Sequence, residues 1–246
     1  EMGAMAPLSG SLPRPGETSD GMLTPEHVET AIQPRAGFRS PTSRVVLANS
    51  HNLAGGRVTP RERMAELIAV ARGHGLPVHL DGARIHNAAA ALDTSAAELS
   101  AGCDTVMFCL SKGLGAPVGS ILVGSTDTIV EARRVRKMFG GGMRQAGIIA
   151  AAGLVAFDEV MPLLSEDNRR AHDLAVGLAE IPAVVLDSDT VETNIVFFSL
   201  ADDSPLDAGG LAARLAEDGL LCHPLGGDSI RMVTHYHISD DDIEKA

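Results

Sequence analysis

Two runs decide the fold: Pro77-Val78-His79-Leu80-Asp81-Gly82-Ala83-Arg84, and further on Thr105-Val106-Met107-Phe108-Cys109-Leu110-Ser111-Lys112-Gly113. Each is apolar and rich in strand-forming residues, then stops at a polar turn marked by glycine. Both read as buried strands. Asp81 and Arg84 lie just past the end of the first, Ser111 and Lys112 past the end of the second. In an open α/β sheet, ligands bind in the crevice beyond the carboxyl ends of the strands.

The pattern continues on either side. Residues 1–21 are rich in Gly, Pro and Ser and read as a loop or a broken helix end. Thr24-Pro25-Glu26 and Thr59-Pro60 are cap-plus-proline signals for helices reaching about residue 33 and residue 73. A strand over 44–48 leads into the polar Asn49-Ser50-His51-Asn52. Helix is expected over 84–91 and, capped by Thr94, to residue 101. Strands are expected over 104–110 and 118–124. A helix over 126–139 carries Arg133, Arg134, Arg136 and Lys137. Gly140-Gly141-Gly142 ends it, and helix resumes from Met143 towards Leu164. Alternating strand and helix predicts a mostly parallel sheet covered on both faces. Beyond Pro162, helices over 165–180 and 206–217 and strands over 184–186, 194–200, 221–222 and 230–234 predict a small α/β domain. The expected division is 1–162 and 163–246.

A core of aliphatic side chains is available, since 45% of the 246 residues are hydrophobic with no Trp, one Tyr and six Phe. A net charge of −12 argues against nucleic acid or an anionic membrane as partner. Any anion site must rest on a few local arginines. No apolar run is expected to reach membrane-spanning length. Cys103, Cys109 and Cys222 have neither metal nor disulfide-scaffold spacing, and reduced thiols fit a cytoplasmic location. His235-Tyr236-His237 with Asp240, Asp241 and Asp242 offers no closed ligand set, so no metal is expected. The acids suit the first turn of a last helix instead.

A lysine behind an apolar strand is readily desolvated, which frees its amine as a nucleophile for carbonyl compounds, pyridoxal 5'-phosphate (PLP) among them. PLP needs a carboxylate at its ring nitrogen, a place open to Asp81. Arg84 would share that side if a helix starts after Asp81, and a guanidinium there suits a substrate carboxylate. The plain alternatives are an Asp81 that only caps the turn and a Lys112 that is only solvated. His51 is a candidate catalytic group whose alternative is a structural role in its loop.

The longer wording is more specific. His79-Leu80-Asp81-Gly82-Ala83-Arg84-Ile85-His86-Asn87-Ala88, then Phe108-Cys109-Leu110-Ser111-Lys112-Gly113-Leu114-Gly115-Ala116-Pro117-Val118-Gly119-Ser120, then Arg136-Lys137-Met138-Phe139-Gly140-Gly141-Gly142-Met143-Arg144-Gln145-Ala146-Gly147 closely resemble the PLP-dependent threonine aldolases. The resemblance runs over nearly the whole chain. It implies the fold type I architecture of the aspartate aminotransferase group. It also implies retro-aldol cleavage of threonine, allo-threonine and related β-hydroxy-α-amino acids to glycine and an aldehyde, within threonine catabolism and glycine biosynthesis. On that basis Lys112 would bind PLP, Asp81 its ring nitrogen, and Ser111 and a neighbour's Arg144 its phosphate. Arg84 and Arg231 would clasp the substrate carboxylate, and Lys137 would reach across the interface of a homodimer or homotetramer with shared active sites.

Three departures go with it. The family has a further N-terminal segment with a phosphate loop and a ring-stacking histidine, so an N-terminally truncated member is expected. Gly37 stands before Phe38 where the family often has histidine. The family's Glu-Asn-Thr-His-Asn reads Ala48-Asn49-Ser50-His51-Asn52. The competing expectations are a truncated or decayed homologue without catalysis, and a related β-eliminating lyase, since the lysine and aspartate serve many PLP reactions.

Overall fold

The protein is described by a computed structural model covering residues 3–246. A short helix, α1 (Met5–Ser9), precedes α2 (Pro25–Ala31). Thr24 caps α2 as expected: its hydroxyl accepts from His27 N–H, and His27 Nδ1 accepts from Thr24 N–H. Then follow β1 (Val45–Ala48), α3 (Arg61–Gly73), β2 (Val78–Asp81), α4 (Ile85–Ala91), α5 (Ala96–Leu99), β3 (Thr105–Cys109) and β4 (Ser120–Gly124). They form one sheet of order β1-β2-β3-β4, in which β1, β2 and β3 are parallel and β4 runs antiparallel on the edge. Ala48 pairs with Asp81, and Asp81 with Met107, so the three parallel strands end in line. Leu47, Val78 and Leu80 bury against Met64, Leu67 and Ile68 of α3 and against Ile85 and Ala88 of α4. Truncating any of the large ones to Ala costs about 2–5 kcal/mol.

Two expected caps are corrected. Thr59 does not cap α3. Its N–H donates to Asn49 Oδ1 (3.1 Å) and its carbonyl accepts from Asn49 Nδ2 (2.8 Å). That buried pair ties the end of β1 to the start of the helix, which leaves Pro60 at the cap position. Ser95 rather than Thr94 caps α5, because Glu98 reaches back to Ser95 N–H and completes a capping box.

α6 (Thr126–Met138) and α7 (Gly147–Val155) follow. Helix resumes at Gly147 rather than Met143, because Arg144 and Gln145 form a bend in which Gln145 has φ 53°. A π-helical turn (Ala156–Val160) and a 3-10 turn (Met161–Leu163) then lead into α8 (Leu164–Ala179). Pro162 therefore does not break the chain: it sits early in the 3-10 turn, where a missing N–H costs little. The result is a continuous helical run, Gly147–Ala179, long and apolar enough to cross a bilayer, contrary to the expectation from the apolar runs alone. Asp158 and Glu159 interrupt its apolar part, and α8 packs on α4 and on the second sheet.

The second sheet contains β5 (Val184–Val185), β6 (Ile195–Leu200), β7 (His223–Gly226) and β8 (Ser229–Val233), with α9 (Ala208–Glu217) before β7 and α10 (Asp240–Lys245) at the end. Its order is β5-β6-β8-β7 and every pairing is antiparallel. The strand expected over 221–222 lies instead at His223–Gly226, an edge position that accommodates Pro224. Ala171, Leu174, Ala175 and Leu178 of α8 bury against Val196, Phe198, Ile230 and Met232. Asp240, Asp241 and Asp242 occupy the first turn of α10 behind the Ser239 cap. Asp240 pairs with Arg169 and Arg170.

Candidate active site

Asp81 is the last residue of β2 and is exposed. The chain turns at once: Gly82 N–H donates to Met107 O at 2.8 Å. A Cβ on Gly82 would lie 2.9 Å from that same oxygen, so the turn requires glycine. Asp81 Oδ1 accepts from Ala83 N–H (3.0 Å), the capping role that a strand-end aspartate often has. Arg84 is the N-cap of α4 rather than part of it, two residues of turn beyond Asp81.

Arg84 donates from Nη1 to Asn52 Oδ1 (3.4 Å), while its Nε is buried without a partner. Burial and the neighbouring Arg231 charge both hold its pKa below the usual arginine value, against the pull of Cys109 and Asp81. Arg231 comes from β8, paired with Phe197. Its Nε is also buried and unpartnered, and burial lowers its pKa too. The two sheets thus bring two guanidinium groups close enough to disfavour each other's charge. A carboxylate is the group that relieves such a pair.

The end of β3 is a tight loop. Gly115 N–H donates to Lys112 O (2.8 Å), and Ala116 N–H to Leu110 O (2.9 Å). A Cβ on Gly113 would stand 2.3 Å from Asn87 Oδ1, and one on Gly115 (φ 71°) 2.5 Å from Tyr236 Cε1. The loop is therefore held between α4 and the segment that leaves β8. Buried Asn87 is fixed in turn by Asn168 of α8: Asn87 Nδ2 donates to Asn168 Oδ1 and Asn168 Nδ2 to Asn87 O. A cavity of about 380 Å³ opens here, lined by Arg84, Ser111, Lys112, Asn194, His235 and Tyr236 among others. Lys112 is exposed, so this chain by itself does not desolvate it as its place behind β3 suggested.

Of the site residues expected from sequence, Lys112, Ser111 and Arg84 line one cavity, and Arg231 stands near Arg84. Asp81 lies at the same strand ends without lining it. His51 is not in the cavity lining: it caps the 3-10 turn Asn52–Ala54, its Nδ1 accepting from Ala54 N–H (3.0 Å), and its chain neighbour Asn52 is the partner of Arg84. Lys137, at the end of α6, and Arg144, past the glycine turn, are exposed and do not line the cavity. Asn194, His235 and Tyr236 were not among the residues expected. Tyr236 and His237 stack with ring centroids 3.8 Å apart, and burial together with His237 lowers the pKa of His235. The available signal was Arg231 itself, since His235 lies just past the end of the same strand and Asn194 just before its partner β6.

Residues 1–201 match the family described as β-eliminating lyase. The low-specificity L-threonine aldolase 1 of Arabidopsis thaliana is 39% identical over 246 residues, which are 99% of this chain and 69% of the relative. The low specificity L-threonine aldolase of Escherichia coli K12 is 38% identical over 244 residues, 99% of this chain and 70% of the relative. Among solved structures, a threonine aldolase of Leishmania major superposes with a TM-score of 0.75 at 20% identity, over 93% of this chain and 66% of that one. A serine palmitoyltransferase of Sphingomonas wittichii gives 0.67 at 19%, over 90% and 56%. Those two likenesses bear on architecture, and they agree with a fold type I chain. The family match over most of the sequence and the aldolase relatives over nearly all of it lead to one conclusion: the chain belongs to the β-eliminating lyase family, in its threonine aldolase group.

Proposed function

We propose that this chain is a PLP-dependent lyase that cleaves threonine, allo-threonine and related β-hydroxy-α-amino acids between Cα and Cβ, releasing glycine and an aldehyde. The observation that carries the reading is one cavity lined by Lys112 and Arg84, with Arg231 beside Arg84, in a chain whose relatives are threonine aldolases. The residues suit such a cofactor. A cavity of about 380 Å³ is in the range of small-molecule sites. A primary amine and two under-paired guanidinium groups offer the matching ends for an aldehyde and a carboxylate.

When bound, PLP supplies the electron sink for the cleaved bond. Lys112 would hold it at the aldehyde carbon and would give up that place to the substrate's amine. Asp81 would keep the ring nitrogen protonated with the oxygen that Ala83 does not engage. Ser111 and Arg144 of a neighbouring copy would take the phosphate. Arg84 and Arg231 would fix the substrate carboxylate and so turn the Cα–Cβ bond relative to the ring. The same proposal includes a homodimer or homotetramer in which Lys137 and Arg144 serve a neighbour's site, a cytoplasmic location, and a division into 1–162 and 163–246. In favour of self-association, Ile121, Leu122 and Val123 of the edge strand β4 are exposed, as are Val130 of α6 and Ile148 and Leu154 of α7.

The test is glycine release from L-allo-threonine by the PLP-loaded protein, with borohydride reduction and peptide mapping in parallel. Turnover with Lys112 as the labelled lysine is expected. A label on another lysine, or binding without turnover, would set the reading aside in favour of a non-catalytic homologue.

A further inference from the structure

The loop between β1 and α3 reaches both sheets. Residues 51–57 fold back on His51: Gly56 N–H donates to His51 O (2.9 Å), and His51 N–H to Arg57 O (2.9 Å). Gly55 and Gly56, at φ 75° and 78°, permit that turn. On one side of the loop, half-buried Asn52 accepts from Arg84 Nη1 through Oδ1 (3.4 Å). On the other, Gly56 O accepts from the buried hydroxyl of Thr193 (2.7 Å), and Val58 N–H donates to Glu192 Oε2 (2.6 Å). Arg57 pairs with the same Glu192 (3.8 Å) and with Asp20 (3.3 Å). A Cβ on Gly56 would stand 2.3 Å from Thr193 Oγ1, so this approach admits no side chain. Glu192 and Thr193 lead into β6, where Phe197 pairs with Arg231. The loop therefore links Arg84, just past β2, to the sheet that carries Arg231.

The chemistry of the contact matters as much as its place. A guanidinium has donors only, so the Asn52 amide must turn Oδ1 towards it. An amide oxygen is neutral. It orients the guanidinium without neutralising it, and the charge stays available to an incoming carboxylate. An acid in the same place would make the same contact and compete with that ligand.

We propose that Asn52 is a positioning residue, whose neutral oxygen fixes Arg84 beside Arg231 and so presets the clasp for the substrate carboxylate; this rests on the lyase reading above. Asn52 does not line the cavity and acts only through Arg84.

Asn52→Ala and Asn52→Asp are to be compared with the parent by KM and kcat for L-allo-threonine in the PLP-loaded full chain. Asn52→Ala loses one neutral hydrogen bond, so KM should rise about two- to tenfold while kcat stays within about twofold. Asn52→Asp keeps the size, the shape and the acceptor, so a purely structural role would leave it like the parent. The positioning role gives the opposite order: Asp should raise KM further than Ala, about ten- to a hundredfold, roughly as far as Arg84→Gln. In an Arg84→Gln background, either change at Asn52 should alter KM by less than about twofold. A second readout needs no turnover. The Arg84 Nε–H NMR signal, assigned by its absence from Arg84→Gln, should shift on titration with L-threonine, with midpoints rising from parent to Ala to Asp. An Asp variant equal to the parent, an Ala variant without effect, or effects that persist without Arg84 would overturn the proposal. A signal that responds in the expected order while the parent turns nothing over would remove the lyase reading and keep the positioning role. A signal that L-threonine never moves would remove both.

Discussion

The cavity and the polar layer directly behind it hold opposite cases of one imbalance. At the cavity, Arg84 and Arg231 are cations whose Nε atoms lack partners and whose pKa values burial pushes down. Behind it, Asp167 of α8 is a fully buried carboxyl with both oxygens unpartnered, and burial pushes its pKa up to about 6. The two regions are joined through Thr234, whose hydroxyl donates to Asp167 O and whose carbonyl accepts from Asn194. They differ in access. Arg84 lines an opening that admits an anion and Arg231 stands beside it, whereas Asp167 is closed off. An unmatched charge beside a cavity is a ligand site; one sealed inside is a stability term that depends on pH.

The strongest way to break this contrast is at Lys112. Lys112→Ala should lower turnover by on the order of 10⁴-fold or more and abolish borohydride labelling, while the melting temperature stays near the parent's, because an exposed side chain contributes little packing. Substantial remaining turnover would move the chemistry elsewhere. Asp81→Asn comes next. PLP should still bind, but roughly a hundredfold or more of the rate should go with the lost ring proton. A variant as active as the parent would reduce Asp81 to the cap of Ala83.

Arg84→Gln and Arg231→Gln sharpen the cavity side of the comparison. Each removes a charge-assisted contact, so KM for allo-threonine should rise about ten- to a hundredfold, with a smaller change in kcat. The two effects should be less than additive, since removing one arginine relieves the charge of the other. A fall in kcat with KM unchanged would place them elsewhere in the reaction. A smaller effect is expected at Arg144, which is exposed and does not line its own cavity. Arg144→Ala should weaken PLP binding about tenfold in the assembled protein. Titrations across protein concentrations should show that difference vanish on dilution to the monomer; a difference that persists would contradict the shared-site arrangement.

Much of this arrangement was legible in the sequence. Apolar runs punctuated by Gly82, Gly113 and Gly115 mark where β2 and β3 end, because close approach to Met107, Asn87 and Tyr236 permits no side chain there. That is why Lys112, Ser111 and Arg84 could be placed before any coordinates. The second sheet was less readable. Helix–strand alternation looks the same whether connections return within a sheet or lead to a separate antiparallel one, and Pro224 disguised β7. Asn194 and His235 were missed for a related reason. Neither carries a local motif, and each becomes part of the site only when β6 and β8 are set beside the β3 loop. His51 shows the converse: a suggestive residue in a suggestive loop whose ring is used to cap a turn.

The last prediction concerns the closed side of the comparison. Below about pH 3, Asp167 is protonated in both the folded and the unfolded chain, so its burial carries no charge penalty. Above that, the unfolded chain ionises while the folded chain resists until about pH 6, even with Arg170 drawing the pKa down. The folded state therefore binds more protons across this window, and stability falls as pH rises through it. Asp167→Asn keeps the shape and removes the titration. Subtracting the parent's melting curve cancels every other titrating group that the two proteins share. The variant should match the parent near pH 3 and exceed it by about 1–2 kcal/mol near pH 8, with KM unchanged. A difference that is the same at both pH values would mean that Asp167 is not held as a buried acid. A change in KM would mean that the layer behind the cavity is part of the site after all.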